Sequence, residues 1–152
     1  MPLLGIMTGV WRTLQIHQDA SDNPQRRRWL ISKNVNFMFH VPEQHAFCIH
    51  LNTDIKRKTP VVTYLRQQEV PVVYDLMIRW VHHSRRRLIR TVRDKAAARD
   101  YLFFNATTGL PLDTASKMSH WIGRLVTTAA VHQLGLYPNR AAKIRGTPHT
   151  FR

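Results

Sequence analysis

Residues 146–152 read GTPHTFR, which sets a histidine and an arginine three positions apart behind a Thr-Pro pair. On a helix, residues three apart share a face, so His149 and Arg152 can address one target. The chemistry that suits them is phosphate chemistry. A guanidinium stays protonated at any working pH and grips two oxygens at once, while an imidazole can pass a proton near neutrality. The plainer reading of the same pair is a frayed basic terminus.

Other chemistries have less behind them. His82 and His83 are adjacent, so on a helix they face different ways and make a poor metal pair. His40, His45 and His50 fall five apart in strand-like sequence, with no fitting carboxylate. Cys48 is the only cysteine, which excludes an intrachain disulfide and a paired-cysteine zinc site and suits a buried, inert thiol. The run TGLPL lacks the Gly-rich Lys-Ser/Thr pattern of a phosphate loop and reads as a turn. The expectation is a protein without metal or cofactor.

Charge narrows the partner. Twenty-three Lys and Arg face nine Asp and Glu, a formal +14. Such an excess repels itself unless a polyanion is bound, and nucleic acid is the default polyanion. An anionic membrane would call for a basic amphipathic surface helix or a lipid anchor, and the chain has no lipidation motif. It has no apolar run of the roughly 18 residues that a spanning helix needs, and its start lacks the pattern of a signal peptide. A soluble, intracellular protein is expected.

The elements that must position these groups read as one domain, residues 1–152. PLLGIMTGVWRTLQI predicts a helix with Leu3, Leu4, Met7, Val10, Trp11 and Leu14 as its apolar set. QDASDNPQRRR predicts a polar loop. VNFMFHV, AFCIHL and VVTYL predict three short strands, the last two joined by the turn NTDIKRKTP. Val73, Leu76, Met77, Trp80 and Val81, extended by Leu88, predict a helix buried along that stripe. Its other faces carry Arg79, His82, His83, Arg85, Arg86, Arg87 and Arg90, either as a solvated face or as phosphate contacts. A second long helix is expected from Asp113 to about Gly135, followed by a loop into TPHTFR.

That order of pieces resembles the catalytic domain of the tyrosine recombinases, the phage-integrase family. LLGIMTGVWR is similar to the helix that ends TGxR and carries the family's first catalytic arginine. RWLISKNVNF is similar to the strand entry after it, and FFNATTGLPLDTASKMSHWIGRL to the stretch where a G-x-P-L turn precedes a helix. TPHTFR resembles the signature in which a His and an Arg three apart precede the nucleophile. The resemblance covers most of the chain.

It implies an α+β fold, mainly helical with a small antiparallel sheet. It implies metal-free attack of a tyrosine hydroxyl on a DNA phosphodiester, with two arginines stabilising the charged transition state. Arg152 matches the second arginine and His149 the histidine beside it. Arg12 matches the first arginine, although two residues rather than one follow the Gly and Gln15 stands where the family places an acid. Arg26, Arg27 and Arg28 are alternatives. The hairpin lysine is Lys56 or Lys58. The nucleophile belongs downstream of the His-x-x-Arg, and Tyr64, Tyr74, Tyr101 and Tyr137 all lie upstream. The resemblance therefore implies a segment without the preceding DNA-gripping domain or the nucleophile, able to bind phosphates but not to cut DNA alone. Its expected partner is double-stranded DNA, in the cytoplasm at the nucleoid, with a homo-oligomer on DNA in a full-length form. A non-enzymatic basic nucleic-acid-binding protein would need only the charge and the arginine-rich helix.

Overall fold

The computed structural model of the protein describes residues 8–53, 59–112 and 124. It is an α+β fold built on one four-stranded sheet. In chain order the elements are α1 (Thr8–Thr13), β1 (Gln15–Ile16), α2 (Pro24–Ser32), β2 (Phe37–Val41), β3 (Ala46–Leu51), β4 (Val61–Arg66), α3 (Pro71–Arg79), α4 (Arg85–Ile89) and α5 (Lys95–Asp100). A π-helical stretch, Trp80–Ser84, carries α3 into α4 without a break.

The three predicted strands form where their β-branched and aromatic runs place them. β2 pairs antiparallel with β3 and β3 with β4, the first through a turn in which His45 takes φ 45°. The sheet is mixed, however. The first helix ends at Thr13, and Gln15–Ile16 pair in parallel with Phe37–Met38. Gln15 N–H donates to the Asn36 carbonyl at 2.8 Å and His17 N–H to that of Met38 at 2.9 Å.

The stretch expected as a polar loop contains α2. Asn23 and Pro24, which suit a loop equally well, are start signals here. The Asn23 side chain accepts from Arg26 N–H at 3.0 Å, and Pro24 sits where no N–H is needed. The helix ends with Asn34 at φ 54°, its N–H on the Ile31 carbonyl and that of Val35 on Leu30, a Schellman closure.

Strand alternation sends side chains to two cores. On one face Met38, Phe47, Ile49, Leu51 and Leu65 pack with Val10 of α1, Leu14 just after it, Tyr74, Val81 and Leu102. On the other, Phe37, Phe39 and Cys48 meet Leu30 of α2 and Ala20. A smaller cluster of Val92, Ala98 and Phe104 joins α4 to α5. Of the predicted stripe, Val81 is buried in the first core, with Met77 and Trp80 packed against it. Val73 and Leu76 are exposed, while Tyr74 is buried. Tyr74 brings more area than either, and its hydroxyl finds His40 Nε2 at 2.9 Å.

TGLPL is a turn. Asn105 Oδ1 accepts from Thr107 N–H and Thr108 N–H, and Gly109 takes φ 82°. A side chain at Gly109 would run into the Asp94 carbonyl, so only glycine lets this turn lie against the start of α5. No described helix is long and apolar enough to cross a membrane.

Candidate nucleic-acid interface

Arg12 stands in the last turn of α1, half-buried, where a cation also suits the helix dipole. Its neighbour Thr13 is held from below by Asn36. Asn36 is 1% exposed, and its amide makes every bond it can. Nδ2 donates to Thr13 Oγ1 at 3.1 Å and to the Thr53 carbonyl at 3.0 Å. Oδ1 accepts from Asn52 N–H at 2.7 Å and Thr53 N–H at 2.9 Å. Asn52 Nδ2 in turn donates to the Val35 carbonyl at 2.5 Å. One buried side chain thus ties the end of the Arg12 helix to the chain entering the β3–β4 connection.

That connection carries Lys56 and Lys58, and both lie outside the described residues, as do His149, Arg152 and the predicted helix from Asp113 apart from Arg124. Of the alternatives to Arg12, Arg26 is committed elsewhere. Its Nε lies 2.9 Å from Asp19 Oδ2, close enough for charge attraction but not aligned as a hydrogen bond, and its guanidinium covers the Trp29 ring at 4.6 Å. Arg27 lies over Phe39 at 5.8 Å, and Arg28 is exposed.

The arginine-rich helix divides in two. Arg85, expected among its surface cations, is buried at 6% exposure. Its Nε donates to the Tyr101 carbonyl at 3.0 Å, and Nη2 lies 2.9 Å from the Ala98 carbonyl, 2.5 Å from that of Arg99 and 2.9 Å from that of Tyr101. It clamps the C-terminal end of α5, where carbonyls lack helical partners. Burial pushes its pKa down to about 10, so it remains charged at neutral pH. Arg79, Arg86, Arg87 and Arg90 are exposed.

Four of the six described histidines pack within the fold. His40 sits between Phe47, Tyr74 and His82, the last ring at 5.4 Å. His50 stacks on Phe37 at 4.6 Å. His17 Nε2 lies 2.7 Å from Gln15 Oε1 and Nδ1 3.5 Å from Arg26, which a neutral ring protonated at Nε2 satisfies. Burial, more than any neighbouring charge, pushes His17, His40, His50 and His82 below the ordinary histidine value. Among the described residues no group of three or more His, Cys, Asp or Glu is placed to hold a metal ion. Cys48 is buried, and burial pushes its thiol up, away from reactivity.

Sequence reasoning missed Asn36 and the role of Arg85. Asn36 had a signal, a lone polar residue inside the run VNFMF; Arg85 had none, because five arginines of this helix look alike in sequence. No family model, curated protein or solved structure matches this chain significantly.

Proposed function

We propose that this domain grips duplex DNA around one phosphodiester in the manner of a tyrosine-recombinase catalytic domain. Arg12 and a lysine of the β3–β4 connection supply contacts, and His149 and Arg152 complete the set. The observation that carries the reading is the Asn36 node. It fixes the turn beside Arg12 to Thr53, three residues before Lys56, although 40 residues of chain separate Thr13 from Thr53. A transition state with charge on non-bridging oxygens needs cations held in place beforehand, and a fully satisfied buried amide supplies that rigidity.

In this reading the segment contributes charge and proton transfer, and the attacking hydroxyl is not among the tyrosines upstream. Tyr74 is buried with its hydroxyl on His40, and the Tyr64 hydroxyl is engaged with Cys48. The test is a double-mutant cycle on duplex DNA affinity with Arg12→Ala and the pair Lys56→Ala/Lys58→Ala. Groups on one phosphate should couple by more than about 0.5 kcal/mol. Strictly additive losses would reject a shared phosphate.

A second reading, a sequence-independent binder without chemistry, is favoured by one other observation, the exposed cations of α3 to α5.

A further inference from the structure

Residues 79–100 hold eight Arg and Lys against two acids, Asp94 and Asp100, so +6 of the chain's +14 lies in 22 of its 152 residues. Asp94 is spent as the cap of α5, its side chain accepting from Ala97 N–H at 2.9 Å. Arg85 is spent inside. Arg86, Arg87, Arg90, Arg93, Lys95 and Arg99 are exposed, and none joins an ion pair among the described residues.

Their placement is not scattered. At 100° per residue, Arg86, Arg87 and Arg90 share about 100° of the α4 surface, opposite Arg85, Leu88 and Ile89. The Arg85 bonds to the carbonyls of Ala98, Arg99 and Tyr101 hold α5 against the other side of α4 and so brace the helix that carries the three arginines. Arg93 lies in the connection and Lys95 opens α5, next to bonds from Arg93 N–H to the Thr107 carbonyl and from Asp94 N–H to that of Thr108.

We infer that this arginine ridge of α4, Arg86, Arg87 and Arg90, is a second, sequence-independent binding surface for the sugar-phosphate backbone of double-stranded DNA. It stands apart from the Asn36 node and does not depend on the recombinase reading. Three arginines on one braced face, with Arg93, Lys95 and Arg99 exposed nearby in the chain, repel each other in the free protein. Duplex DNA carries a charge about every 1.7 Å of its axis, so such a ridge meets several phosphates and releases their counterions. The buried guanidinium fixes the spacing beforehand, which lowers the ordering cost of binding. The ridge has arginine forks but no large exposed apolar residue of α4 or α5, so the chemistry is phosphate and not stacking.

The experiment is a salt titration of the full chain on a duplex of about 20 base pairs and arbitrary sequence, long enough to span several phosphates of the ridge. It compares wild type, Arg86→Ala/Arg87→Ala/Arg90→Ala and the matching triple lysine variant. Thermal melting confirms that each folds. The alanine variant should flatten the slope of log K against log salt by about 2.7, at roughly 0.9 for each phosphate left unneutralised. The lysine variant should keep the slope. An unchanged alanine slope, or a flattening seen equally in the lysine variant, overturns the proposal. So does a loss confined to vesicles of phosphatidylserine and phosphatidylcholine, with duplex binding intact. A flattened slope without coupling between Arg12 and the lysines would keep the ridge and reject the shared phosphodiester; the converse pattern would reject the ridge alone.

Discussion

Asn36 and Arg85 do the same mechanical work in two regions of the molecule. Each is a buried polar side chain that fastens one segment to another through backbone groups. They differ in charge. Asn36 is neutral, and its amide is balanced by two donations and two acceptances. Arg85 is a cation held mainly by carbonyl dipoles, with Asp100 the acid that favours its charge and Arg86 opposing it. A neutral clamp is indifferent to the field around it. A charged clamp shares the field of every arginine on its helix, so the α4–α5 region is tuned by whatever anion binds there.

Replacing the charged clamp should be the harsher change. Arg85→Met keeps much of the stem's volume but strips the carbonyls of Ala98, Arg99 and Tyr101 of their donor. We expect a loss of about 4 kcal/mol in denaturant unfolding, with weaker duplex binding because α4 is no longer braced. A loss below about 1 kcal/mol would mean that water replaces the guanidinium freely, and the comparison would fail. Asn36→Ala orphans two N–H groups and the Thr53 carbonyl, and about 3 kcal/mol is expected. Its effect on DNA should follow Arg12 rather than the ridge, which a combination with Arg12→Ala would read as non-additive. The smallest effect is set by protons. The histidines at 17, 40, 50 and 82 have folded pKa values below the unfolded one, so the unfolded chain binds more protons. The stability they contribute is complete above about pH 6.5 and falls as pH drops through the folded values. Melting temperature should therefore decline from about pH 7 to about pH 5, and His40→Phe should flatten that decline.

Much of the sheet was legible in the sequence. The runs ending at Val41, Leu51 and Leu65 are rich in the β-branched and aromatic residues that suit strands, and the last two pair as the expected antiparallel hairpin. β1 was not legible, because two residues at the foot of a helix carry no period of their own, and the parallel partner Phe37 is 22 positions away. Asn23-Pro24 fits a turn and a helix start equally well, and only the bond to Arg26 N–H separates them. The stripe held at Met77, Trp80 and Val81 and failed at Val73 and Leu76, because apolar counting weighs Val73 like any core residue and ignores the hydroxyl that lets Tyr74 go inside. Arg12 was legible as a helix arginine. Its tie to the β3–β4 connection was not, since that depends on a third residue, Asn36, distant from Arg12 in sequence.

The parallel pairing of β1 has a consequence for the order in which this chain assembles. Val41 meets Ala46 after five residues, whereas Gln15 must wait for Phe37 across α2. Short loops close early and long ones late. The β2–β3–β4 meander is thus the piece that can form first from local pairing, and α1 with β1 is the late arrival. What docks late is nonetheless held firmly, through buried Val10 and Leu14 and the Asn36 bonds, so Arg12 is set in place only once the sheet it leans on is complete.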